Sequence, residues 1–187
     1  MKFQLTTISQ ISIFNGIVLM LLTLASFFEW IAFEMIFSYQ WHKILHICGV
    51  ILFFGNMIVG PVWFLYAFYS NNKDILLFSN KLLQLTDVLF TIPGVFLTIT
   101  NGLFLASNYG GTNKQNWLYF TVILLIIMWI LSVPLIYYQE KMYVCVEKEP
   151  ENKHLIFRYL IRWGVIGTLV LIPPSIIFYF MVFKPQF

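Results

Sequence analysis

Apolar residues do not alternate with polar ones along this chain; they gather into five long blocks divided by brief polar interruptions. The blocks cover residues 9–37, 41–70, 75–107, 115–143 and 155–183. Each holds roughly 18 or more mainly apolar residues, and at ~1.5 Å per residue a helix of that length crosses a ~30 Å hydrocarbon core. The interruptions are Ser38-Tyr39-Gln40, Asn71 to Asp74, Asn108 to Lys114, and Glu147 to His154 with Pro150 inside it. All are turn-forming or charged. The pattern predicts an all-α fold, a polytopic transmembrane helix bundle of about five helices forming one membrane domain over residues 1–187. Lys2 ahead of the first block is reminiscent of a signal peptide. The run is long, however, and Ala25-Ser26-Phe27 leads into Phe28, Glu29 and Trp30 instead of a small-residue cleavage site, so the block reads as the first helix.

Composition sharpens the picture. Hydrophobic residues make up 60% of the chain and charged ones 10%, with mean hydropathy +0.82, whereas soluble domains carry about 25% charge. No soluble catalytic or receptor domain is expected, and no P-loop, GxGxxG, HExxH, GxSxG or zinc-ligand cluster occurs. Five spans without a repeat also argue against a large transporter built from paired halves. Cys48 and Cys145 have no CxxC or Cys/His spacing near them and read as small apolar residues.

The net charge of +3 bears on orientation, not on nucleic acid, and no nucleic-acid partner is implied. Lys2, Lys73, Lys81, Lys141, Lys148, Lys153, Arg158 and Arg162 fall on the side of the N-terminus; Lys43, Lys114 and Lys184 fall on the other. The positive-inside rule therefore predicts a cytoplasmic N-terminus and an outside C-terminus. Aromatic anchors are expected at Trp41, Trp117 and Phe187 on the outer side and at Tyr69, Tyr137, Tyr138 and Tyr143 on the inner. The bilayer is the expected partner, and glycine-rich helix faces leave a homo-oligomer or a membrane-complex partner open.

Polar residues inside apolar helices are the informative positions, because a central charge costs ~2.5–3.5 kcal/mol on insertion scales and so turns toward the bundle interior or a wet cavity. On helix two, His42, His46, Gly49, Phe53, Asn56, Gly60 and Trp63 recur at steps of three and four and share one face. Helix three repeats the arrangement with Gln84, Asp87, Thr91, Gly94, Thr98 and Asn101. Close helix packing explains the small residues of both faces. Asp87 lies about two turns inside helix three, at the depth of Gln139, Arg158 and Arg162. It reads equally as a structural partner of Arg162 or as a proton or substrate site. At the opposite end, Glu29 and Glu34 close helix one where His42, Lys43 and His46 open helix two, which predicts an outer charge layer with a solvated His42. His46, one turn deeper, reads as a hydrogen-bonded structural histidine or as a haem ligand. Pro61, Pro93, Pro134, Pro173 and Pro174 fall within spans and are expected to shape the bundle.

Several strings are recognisable. Trp41 to His46, Phe53-Phe54-Gly55-Asn56, Leu85 to Gly94 (Leu-Thr-Asp-Val-Leu-Phe-Thr-Ile-Pro-Gly), Tyr138-Gln139 and Met181 to Pro185 resemble an uncharacterised bacterial family of predicted integral membrane proteins, a domain of unknown function. That resemblance runs from helix two to the C-terminus, leaving helix one as an addition. A more distant likeness is to HemJ-type protoporphyrinogen oxidases and CopD-like membrane proteins, through Trp41, Lys43 and His46, then Thr91 and Pro93, then Lys184 and Pro185. It implies a four-helix core of helices two to five, with haem b as cofactor and His46 as its axial ligand. Met57 and Met128 are the candidates for a second ligand. The HemJ-type Arg and His after the first histidine are absent from Val62 to Ala67, as are the lysine opening helix four and the Asn-Glu-x-Pro of the last helix. The likeness therefore carries the fold further than the oxidase activity, and the chain reads as a haem-associated membrane protein or as a non-catalytic carrier, proton path or accessory subunit using Asp87.

Overall fold

The computed structural model describes residues 6–186. Lys2 and Phe187, placed above by charge and as an anchor, lie outside the described residues. The described chain is all helical: α1 (Thr7–Phe27), α2 (Tyr39–Tyr69), α3 (Lys73–Ser107), α4 (Asn116–Lys148) and α5 (Lys153–Phe183), each long and apolar enough to cross a membrane. α3 is continuous but not uniform. An α-helical arm Lys73–Thr86 meets a second, Ile92–Ser107, through a π-helical turn Asp87–Thr91, in which Ile92 N–H donates to the Asp87 carbonyl. Pro93 follows directly. It brings no amide hydrogen to an α-type ladder, and the wider turn sits where that ladder is weakest.

Local chemistry explains the ends. Thr6 caps α1 by accepting from Ser9 N–H at 3.3 Å, Asn72 caps α3 through Asp74 and Ile75 N–H, and Asn152 caps α5 through Leu155 N–H. α1 stops at Phe27, ten residues before the expected 37. Glu29 adopts φ 60°, and both Trp30 and Ile31 N–H turn back to the Ala25 carbonyl. Residues 28–38 then cross the end of the bundle without joining a helix, Phe33 packing edge-on against Phe104. α4 instead runs past the expected 143 to Lys148.

Two consecutive pairs, α2 with α3 and α4 with α5, carry most of the packing, and α1 lies against α3 and α4. The burial pattern is inverted relative to a soluble protein. Phe14, Phe78, Ile130 and Val133 are exposed, while His42, Asn56, Asn80, Asn101 and Glu140 are buried. The outward apolar surface is what lipid contacts. A core of Phe64, Leu83, Met142, Val146, Ile156 and Trp163 fills the basic end, which carries the 70–72 and 149–152 connectors. Leu19, Ile99 and Leu103 fill the middle, and Ala106, Trp117 and Leu118 the far end. Trp117 and Tyr143, expected as interface anchors, are thus core residues at 4% and 3% exposure.

Candidate functional site

Glycine closes the seam between α2 and α3. A Cβ on Gly49 would stand 2.6 Å from the Thr98 nitrogen and 2.7 Å from the Gly94 carbonyl oxygen, and one on Gly94 would stand 2.7 Å from the Phe53 nitrogen. Backbones this close bring the two polar faces into register. Toward the far end, His42 is 1% exposed. Phe37 N–H donates to its Nε2 at 3.2 Å, so Nδ1 holds the ring hydrogen and donates to Asn101 Oδ1 at 2.8 Å. The ring also stacks on Phe104. The expected solvated His42 is therefore corrected, because residues 28–38 fold over it. One turn deeper, His46 Nδ1 donates to the Thr98 carbonyl at 2.7 Å.

Toward the basic end, four helices converge on Asp87. Asn56 Nδ2 on α2 donates to Asp87 Oδ1 at 3.2 Å and to Thr91 Oγ1 at 2.8 Å, and Thr91 in turn donates to Oδ1 at 3.1 Å. Gln139 Nε2 on α4 donates to Oδ2 at 2.5 Å and also to the Tyr143 hydroxyl, which donates onward to Oδ2 at 3.2 Å. Trp163 Nε1 on α5 completes the set by donating to Gln139 Oε1 at 3.2 Å. The four acceptor positions of a carboxylate are filled by neutral donors. None brings a positive charge.

Beside this cluster lies a partly open cavity of about 860 Å³, within the ~300–1,000 Å³ range of small-molecule sites. Asp87, Asn56, Thr91, Gln139 and Tyr143 form its polar wall, and residues of all five helices supply the rest. α1 contributes Ser9, Ser12, Asn15 and Gly16, a polar stripe at helical spacing that the sequence carries and that was not singled out above. Asn56 is 8% exposed, and its buried Oδ1 has no hydrogen-bond partner among the described residues.

The Asp87–Arg162 ion pair is not formed. Arg162 lies exposed over the Tyr138 ring, 5.5 Å from its centroid, and Arg158 is also exposed. The ion pairs among the described residues are Lys73–Glu151 and Lys114–Glu29. The outer charge layer is corrected likewise. Glu29 pairs with Lys114 and accepts from Asn113 Nδ2 at 2.8 Å, both from the α3–α4 connector. Those hydrogen bonds, Lys114 first, hold its carboxyl below the usual range. Glu34 is exposed. Gln84 is half-buried on α3, and its side chain stands outside the Asp87 network. The acid that the sequence reading missed is Glu140. It is fully buried on α4, accepting from Thr6 N–H at 3.3 Å, from Thr6 Oγ1 at 2.5 Å and from the Ser9 hydroxyl. Glu140 lies one turn inside the expected helix-four end at 143, and α4 continues two turns beyond Glu140 to Lys148.

The haem expectation is tested by space. The seam facing His46 is shut by the Gly49–Gly94 contact, and the His46 ring stands 3.2 Å from the position of a Cβ on Gly102. Met57 and Met128 line the cavity, but no histidine does. The porphyrin-sized space and the candidate ligand lie apart, so these residues do not form a haem site.

Helices with apolar exteriors around a buried carboxylate, amides and a histidine define a polytopic integral membrane protein. The chain belongs to the family described as predicted integral membrane protein (DUF2269), which it matches over residues 40–185. That match takes in α2 to α5, and with them Asn56, Asp87, Thr91, Gln139 and Tyr143, while α1 precedes it. Neither a curated protein nor a solved structure matches the chain.

Proposed function

We propose that this is a non-catalytic membrane protein of the binding or carrier type, and that Asp87 is its working group. The observation that carries this reading is a carboxylate held by neutral donors at the wall of a cavity about 860 Å³ in volume. A group fixed by four helices and left open to a small-molecule-sized space is suited to holding a proton or a ligand headgroup. The basic residues at the 70–72 and 149–152 end support a cytoplasmic placement for it in a bacterial inner membrane. The HemJ-type likeness supports a shared frame for α2 to α5, and no oxidase step is carried over with it.

The test pairs a spectrum with a chemical label. The protein purified from haem-sufficient cells is expected to be colourless, and the bilayer-soluble reagent dicyclohexylcarbodiimide is expected to modify Asp87, with Asp87→Asn unlabelled there. A Soret band lost in His46→Ala, or an Asp87 that the reagent never reaches, would sink the reading.

A further inference from the structure

We infer that the cavity takes a lipid-soluble monocation, such as a hydrophobic amine or onium ion, with its charge against Asp87; this rests on the reading of Asp87 as the working group. Three observations converge. The first is charge. Among the described residues lining the cavity there is no Lys, Arg or His, and Asp87 is the one charged side chain. Glu140, the neighbour of Gln139, adds a second carboxylate, fully buried, whose partners among the described residues are the neutral donors of Thr6 and Ser9. On α5, Arg162 lies over the Tyr138 ring and is not among the residues lining the cavity. In a low-dielectric interior a site of one sign selects the opposite sign.

The second observation is the aromatic wall. Trp163 and Tyr143 stand in the Asp87 network itself, and Phe53 and Trp129 line the same space. Ring faces attract cations most strongly where water is excluded, and they repel anions. The third is shape. The remaining wall is apolar, from Ile13, Met20, Pro61, Val95 and Leu135 among others. A small hydrated metal ion would leave most of that surface uncovered, whereas an organic cation covers it.

The test uses two ions of one shape and opposite sign, tetraphenylphosphonium and tetraphenylborate. Each is titrated into the full chain in phosphatidylcholine nanodiscs, with tryptophan fluorescence as the readout and empty nanodiscs as the partitioning control. Saturable binding of the phosphonium is expected, with tetraphenylborate weaker by about ten-fold or more, a difference of ~1.4 kcal/mol. Asp87→Glu is expected to keep the preference and Asp87→Asn to lose it, each checked for folding by helicity and elution. The wild-type comparison needs no variant, so a misfolded Asp87→Asn leaves the question answerable. Equal binding of both ions overturns the cation inference while leaving the cavity as a binding site. Saturation by neither ion overturns the inference and counts against the cavity reading as well.

Discussion

Replacing Gly49 by alanine is the sharpest test of the α2–α3 seam. The added Cβ would meet the Thr98 nitrogen at 2.6 Å and the Gly94 carbonyl oxygen at 2.7 Å. Backbone atoms cannot rotate away. Opening the 2.6 Å approach to the 3.4 Å of ordinary contact moves the helices about 0.8 Å apart. The same separation applied to the His46–Thr98 hydrogen bond takes it from 2.7 Å to about 3.5 Å, past the ~3.2 Å limit of a good N–H···O bond. Overpacking costs ~1–3 kcal/mol, and a weakened hydrogen bond adds ~1 kcal/mol. Alanine's helix preference offsets ~1 kcal/mol. A net loss of ~1–3 kcal/mol is expected, read as earlier unfolding in a dodecyl sulfate titration followed by circular dichroism. Gly55 is the control, because a Cβ there meets nothing within 4 Å. Gly94→Ala should behave like Gly49→Ala, and the double variant should lose less than the sum, since both changes open one contact. A Gly49→Ala protein as stable as Gly55→Ala would refute the close-packed seam.

Two further outcomes concern the ends of the bundle. Glu140→Ala removes the acceptor that pins the start of α1, at a cost of ~1.5–3 kcal/mol for hydrogen bonds to a charged group. Hydrogen exchange should therefore accelerate in residues 6–16 and not in α2 to α5, with Glu140→Gln intermediate; unchanged exchange in α1 would remove Glu140 from that role. At the far end, Glu29 has its carboxyl held below 4.5 by Lys114 and Asn113. The bond's contribution is thus full above that value and is lost as pH falls through the lowered one. A spin label at Ser38 should gain mobility on going from neutral pH to about pH 3, and Glu29→Gln should show that mobility already at neutral pH. Mobility that ignores both changes would contradict the assignment.

Five helices and the two facing stripes were legible in the sequence because lipid imposes both signals: long apolar runs, and polar groups that must turn inward. Depth along a helix could be estimated from residue counts, but which side of α5 turns toward α4 could not. Arg162 and Trp163 are neighbours at similar depth, yet one residue is about 100° of rotation. The indole faces Gln139, while the guanidinium lies outside over Tyr138. His42 looked superficial because the segment that covers it reads as more helix; the turn at Glu29 depends on one positive φ that hydrophobicity does not encode. Glu140 was hidden by its neighbours. In Gln139-Glu140-Lys141 a basic residue and an acid suggest a surface, yet the acid is fully buried on an α4 that continues to Lys148.

The π-helical turn at Asp87–Thr91 gears the two polar layers together. Each residue advances a helix by about 100°, so the extra residue held in that turn sets the phase of Ile92–Ser107 relative to Lys73–Thr86. Rewinding the turn as regular α-helix would swing Gly94, Thr98 and Asn101 off α2 as one rigid rod. The hold on His42 near one membrane surface therefore depends on the conformation of five residues beside the carboxylate.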